Sequence, residues 1–127
     1  MSCIKLTAEP SHNRSKCPIA CTLDILGDKW TLIVIRDLLS GKKRYKEFTG
    51  SPEHIPTNIL AERLKRLEAY GLIDKRHPNP NSRWVEYYLT EKGEGLIPML
   101  QEMCKWGNKY VNETWIPPES FMKRRVK

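Results

Sequence analysis

Between Thr57 and Gly71, leucines at 60, 64 and 67 recur at spacings of four and three residues, while Asn58, Ala61, Glu62 and Lys65 share another side of the same period. Those outward residue types suit base edges. An Asn amide bonds adenine through two hydrogen bonds, a Thr hydroxyl such as that of Thr57 donates or accepts, and an Ala methyl packs on the methyl of thymine. Arg63 and Arg66 on the same segment, with Lys42, Lys43 and Arg44 on a turn before it, suit phosphates and would supply affinity rather than sequence choice. Lys75, Arg76 and Arg83 continue the positive charge beyond Gly71. From Arg36 to Arg83 there are eleven Lys or Arg against six acids, and a second basic group closes the chain at Lys123, Arg124, Arg125 and Lys127.

Cysteine is the other chemistry to weigh. Cys17 directly precedes Pro18, a residue suited to the first turn of a helix, so its thiol would feel the positive end of the helix dipole, which favours the thiolate. Cys21 and Cys104 read as packing thiols and Cys3 as an exposed one. His12, Cys17 and Cys21 lack the second ligand pair that structural zinc requires, and no metal or cofactor is expected. His54 and His77 fall in loops with no evident nucleophile or acid beside them, and no phosphate-cradling glycine loop occurs, so no enzymatic activity is expected.

The elements that must position these groups follow from periodicity and punctuation. Residues 1–16 are polar and without a sustained period, which predicts a flexible arm. A first helix runs from Pro18 with Ile19, Leu23 and Leu26 at helical spacing until Gly27. Asp28 is placed to cap a second, from Lys29 to Ser40, apolar on nearly every side and ended by Gly41. Tyr45 to Gly50 allows a helix of one or two turns, and Ser51, Pro52 and Pro56 mark a loop before the helix from Thr57 to Tyr70. Extended runs Leu72–His77 and Arg83–Leu89 flank a turn-rich segment and predict a β-hairpin. Thr90 then caps a long helix, with Glu91 and Glu94 in its first turn and Pro98 bending it. Its apolar stripes, Leu96, Leu100, Met103 and Gly107 beside Ile97, Cys104 and Val111, fit either a partner surface or an internal core. Pro117 and Pro118 end regular structure and leave a basic tail.

With 127 residues, 39% hydrophobic and 29% charged, the chain fits one folded domain, here spanning 17–116 between the arm and a tail at 117–127. The longest apolar stretch, Leu32 to Ile35, is far short of the roughly 20 residues that span a bilayer. No membrane association is expected. No charged-then-apolar opening with a cleavage site is present, so the cytoplasm, with reduced thiols, is the expected compartment. A formal net charge of +7 points to an anionic partner, for which nucleic acid is the commonest candidate.

Helices, then a strongly amphipathic helix, a hairpin with a polar tip and a long helix form the order of a winged helix-turn-helix domain: mainly α with a small β-hairpin wing. The stretches CP at 17–18, GDKWTLIVIRDLL at 27–39, RYKEF at 44–48, IPTNILAERLKRLEAYGLI at 55–73 and VEYYLTEKG at 85–93, with a weaker KWG at 105–107, resemble the HxlR-type regulators, relatives in fold of the MarR group. The resemblance implies a homodimeric transcriptional regulator, repressor or activator, built on the first and the C-terminal helices. It implies double-stranded DNA as partner, a pseudo-palindromic operator with half-sites roughly 34 Å apart. Thr57, Asn58, Ala61, Glu62 and Lys65 would face the groove, and the hairpin around Asn79 would be the wing. It further implies that Cys17 senses a small electrophile or oxidant; the alternative is an inert interface thiol. A winged-helix module that binds protein without direct DNA contact is the rival reading, whereas an RNA-binding domain lacks its aromatic strand motif.

Overall fold

The computed structural model describes residues 14–126. Most of the arm expected at 1–16, with Cys3 and His12, lies outside the described residues. Arg14 is tied down, since its guanidinium bonds Asp24 Oδ1 (2.8 Å) and the Ala20 carbonyl (2.9 Å).

Helix α1 (Pro18–Leu26) begins with its proline where a missing N–H costs nothing. Helix α2 (Thr31–Leu39) starts two residues later than the spacing predicts, because Lys29 and Trp30 form a turn. Asp28 still serves as its cap: Oδ2 accepts from the Trp30 and Thr31 N–H groups at 3.1 and 3.2 Å, and the Thr31 hydroxyl donates to Oδ1. Val34, Ile35, Leu38 and Leu39 are buried, and α2 is the centre of the domain as its all-round apolarity predicts.

The single turn α3 (Tyr45–Phe48) is held by Glu47, whose carboxylate accepts from the N–H groups of Lys43 (2.8 Å) and Arg44 (2.9 Å). Helix α4 (Thr57–Ala69) buries Leu60, Leu64 and Leu67 against α2 and stops at Gly71, whose φ of 77° is the left-handed conformation glycine tolerates. Strands β1 (Ile73–Arg76) and β2 (Glu86–Leu89) pair antiparallel, Ile73 opposite Leu89 and Arg76 opposite Glu86. The hairpin arms are shorter than the apolar runs predict. Pro78 and Pro80 offer no N–H to a ladder, so pairing fails beyond Arg76 and Glu86.

The long bent helix expected from Thr90 is two helices, α5 (Glu91–Glu94) and α6 (Ile97–Tyr110). Pro98 cannot donate to the Glu94 carbonyl, and its ring would crowd it, so the chain breaks at Gly95–Leu96 and Pro98 falls in the first turn of α6. Thr90 caps α5 as predicted, its Oγ accepting from the Gly93 N–H at 3.1 Å. Gly93 lies so close to β1 that a Cβ there would collide with the Leu72 carbonyl. The C-terminal segment also differs: Pro118 opens a further turn, α7 (Glu119–Met122), and Phe121 packs against the core. Gln101 Nε2 donates to the carbonyls of Phe121 (3.0 Å) and Arg124 (2.7 Å), and Arg124 Nη1 to that of Leu39 (3.0 Å). Residues 119–124 are thereby docked on α2 and α6 rather than trailing as a tail. No helix among the described residues is long and apolar enough to cross a membrane.

Candidate nucleic-acid interface

Helix α4 presents Thr57, Asn58, Ala61, Glu62 and Lys65 to solvent, all exposed, while its leucine ridge is buried. Its start is held from the side by Tyr45, whose hydroxyl donates to the Thr57 carbonyl at 2.7 Å. The sequence reading missed this tie, since nothing local marks a tyrosine as the partner of a carbonyl twelve residues on.

The basic residues divide into two groups. Lys43, Arg44, Lys75, Arg76 and Arg83 are exposed around α4 and along the hairpin. Arg44 stacks on the Trp84 ring (4.2 Å), while Lys43 and Arg76 lie over Tyr88 (5.1 and 4.8 Å). These cations cover the outer face of β2, which is why its residues are half-buried on both sides instead of alternating. Asn79 sits exposed at the hairpin tip, where its Oδ1 accepts from the Asn81 N–H at 3.0 Å and shapes the turn. The Lys43 carbonyl accepts from the Tyr87 N–H at 2.8 Å, joining the basic turn to β2.

Three residues expected to meet phosphates, Lys42, Arg63 and Arg66, are instead half-buried and hydrogen-bonded within the chain, whereas Arg44, Lys75 and Arg76 stay exposed with only loose ion pairs to Glu86, Glu68 and Asp74. Arg63 Nε donates to Asp28 Oδ2 at 2.8 Å, and its guanidinium also meets Glu62. Arg66 Nη2 donates to the Asp24 carbonyl at 2.6 Å, so both arginines fasten α4 to α1 and the turn after it. Partial burial of Asp28 works against its charge, but the bonds from Arg63, Thr31 and Trp30 outweigh it and hold the carboxyl at about 2. Lys42 turns inward, its Nζ donating to Ser51 Oγ at 2.8 Å and lying 3.8 Å from the buried Asp37. Ser51 in turn donates to Asp37, and Arg36 pairs with both Asp37 (2.9 Å) and Glu53 (2.6 Å). This network, which the sequence reading did not single out, anchors the loop that leads into α4.

Cys17 is exposed just before α1, and the N–H groups of Ala20 and then Ile19 lower its thiol pKa, with Arg14 adding to the effect. Cys21 donates its S–H to the Ser15 carbonyl at 3.3 Å. Burial pushes the Cys104 thiol up. Among the described residues, no group of three or more His, Cys, Asp or Glu could hold a metal ion.

Comparison with known proteins adds a family to this geometry. A model of the HxlR-like helix-turn-helix family matches residues 25–115. The chain belongs to the HxlR-like helix-turn-helix family. Among its relatives, YkvN of Bacillus subtilis, an HTH-type transcriptional regulator itself uncharacterised, is 36% identical over 81% of this chain and 87% of its own. Two solved structural neighbours have been captured in contrasting redox states. The reduced form of the transcriptional regulator YodB from B. subtilis is 35% identical, with a TM-score of 0.65 over 78% of this chain and 98% of its own, and a diamide-treated form is also known. The redox regulator HypR in its reduced form is 36% identical, with a TM-score of 0.66 over 77% and 99%, and it too is known oxidised. The HxlR-like chain described here is thus an HTH-type transcriptional regulator, from a family that implies DNA binding and not catalysis.

Proposed function

We propose that this regulator acts as a homodimer that lays the α4 faces of its two copies into successive major grooves of a pseudo-palindromic operator, and that modification of Cys17 adjusts that binding. The observation that carries the DNA reading is the division of α4: Leu60, Leu64 and Leu67 are buried while Thr57, Asn58, Ala61, Glu62 and Lys65 are all exposed on the side that would meet base edges. Lys43, Arg44, Lys75, Arg76 and Arg83, with Asn79 at the wing tip, would contact phosphates on either side. Stacking on Trp84 and Tyr88 limits the freedom of three of these cations, which lowers the entropy lost on binding.

Support for the homodimer comes from apolar side chains that α1 and α6 leave in water. Ile19 is 72% exposed and Trp106 63%, with Leu23, Met103 and Tyr110 also exposed. Covering them stabilises an assembly by about 25 cal/mol per Å² of apolar area. Redox control rests on the exposed, pKa-lowered thiol of Cys17 together with the redox states in which YodB and HypR were captured.

Selection of duplexes from a random pool, followed by mobility shift at rising salt, tests the DNA reading. Symmetric sites, two chains per duplex and affinity falling steeply with salt are expected. A protein that retains no duplex, or binds an asymmetric site as one chain, would overturn it.

A further inference from the structure

Behind the interface, a cleft of about 590 Å³ opens between α6, the segment from Thr114 to Pro118 and the end of α2. That volume lies within the range of about 300–1,000 Å³ in which small-molecule sites fall. Trp115, Ile116 and Phe121 give its walls an apolar character, and Cys104, kept as the neutral thiol by burial, adds no charge. At its polar end the charges close on one another: Arg36 on Asp37 and Glu53, Lys42 on Asp37 and Ser51. With Glu53 counted behind the wall, the two cations and two carboxylates at that end balance, so little charge is left over to match against an ionic ligand.

Gly107 points to an occupant. It lies inside α6 and lines the cleft, and a Cβ built on it meets nothing within 4 Å among the described residues. A mid-helix glycine destabilises a helix relative to alanine. No close approach among the described residues accounts for that cost.

We propose that this cleft binds a small, uncharged, largely aromatic molecule, and that occupancy alters DNA affinity. The route is short: Pro52 lines the cleft next to Ser51, which is bonded to Asp37, and the loop they begin leads into α4 at Thr57. The coupling rests on the DNA reading above; the binding site does not.

Titration of the full chain with N-phenyl-1-naphthylamine, a neutral fluorophore that brightens in apolar surroundings, tests the site. Saturable binding is expected, weakened about tenfold or more in Gly107→Leu, which fills the cleft. Trp115→Ala removes a wall residue that is 77% exposed and outside the core, and it should weaken the probe as well. Saturating probe should change wild-type affinity for a selected duplex by about fivefold or more. The duplex affinity of Gly107→Leu should not move with probe. Equal probe affinity in all three proteins, or no saturable binding, would overturn the site, as would dissociation of the Gly107→Leu assembly, which would make the space an interface between copies. Probe binding with unchanged duplex affinity would overturn the coupling. Failure of the wild type to bind any duplex would defeat the DNA reading, with the fluorescence titration still deciding the site.

Discussion

Arg63 Nε lies 2.8 Å from Asp28 Oδ2, a contact between residues 35 positions apart that sets how α4 leaves the domain. Because Asp28 also caps α2, one carboxylate joins the start of the central helix to the middle of the helix that carries the candidate base readers.

Breaking either partner should therefore cost more than a surface ion pair. A double-mutant cycle of Asp28→Asn and Arg63→Ala in urea should return a coupling of about 1 kcal/mol. The carboxyl is held at about 2 from an ordinary 3.8, so its stabilisation is complete above the ordinary value and drains as pH falls toward the lower one. Thermal melts across this range should show the gap between wild type and Asp28→Asn closing with acid; a gap independent of pH would refute the assignment.

Gly93 and Gly107 make opposite predictions for one substitution. Gly93→Ala drives a Cβ into the Leu72 carbonyl and should cost about 3 kcal/mol, whereas Gly107→Ala meets open space and should gain up to about 1 kcal/mol. Urea midpoints for the two variants decide the matter.

Base reading and phosphate contact separate by salt. Asn58→Ala should cost about 1–3 kcal/mol at the selected operator and relax specificity there, while Lys43→Ala should weaken all duplexes alike and lower the salt slope by about 1. Uniform loss in both variants would place Asn58 away from the bases.

Thiol reactivity should follow environment. Cys17, lowered by backbone N–H groups, should alkylate with iodoacetamide at lower pH than Cys104, raised by burial. Peptide mass spectrometry across pH reads both sites, and loss of operator binding on diamide treatment should be absent in Cys17→Ser. Identical profiles for the two thiols, or equal loss in that variant, would count against the switch.

Much of the fold was legible because the signals were local. Leucines at 60, 64 and 67, Asp28 before α2, Thr90 before α5 and Gly71 after α4 each act within a few residues of themselves. Exposure of Asn58, Ala61, Glu62 and Lys65 followed from the same periodicity. What failed to show was pairing at a distance: which arginine meets solvent and which meets Asp28 or the Asp24 carbonyl depends on where α1 lies, and periodicity within α4 is silent on that. Pro98 and Pro118 misled for a related reason. An apolar stripe continues across a break when both pieces pack on the same core, and a proline that closes one segment can open the next.

The main-chain bond from Tyr87 to Lys43 ties the turn ahead of α4 to the hairpin behind it as one bracket. A bracket cannot hinge at its own corner. Under the proposed dimer, any curvature needed to seat two copies on one operator would then come from bending of the duplex or from rotation of one subunit against the other, and half-site spacing would be a property of the pair rather than of either wing.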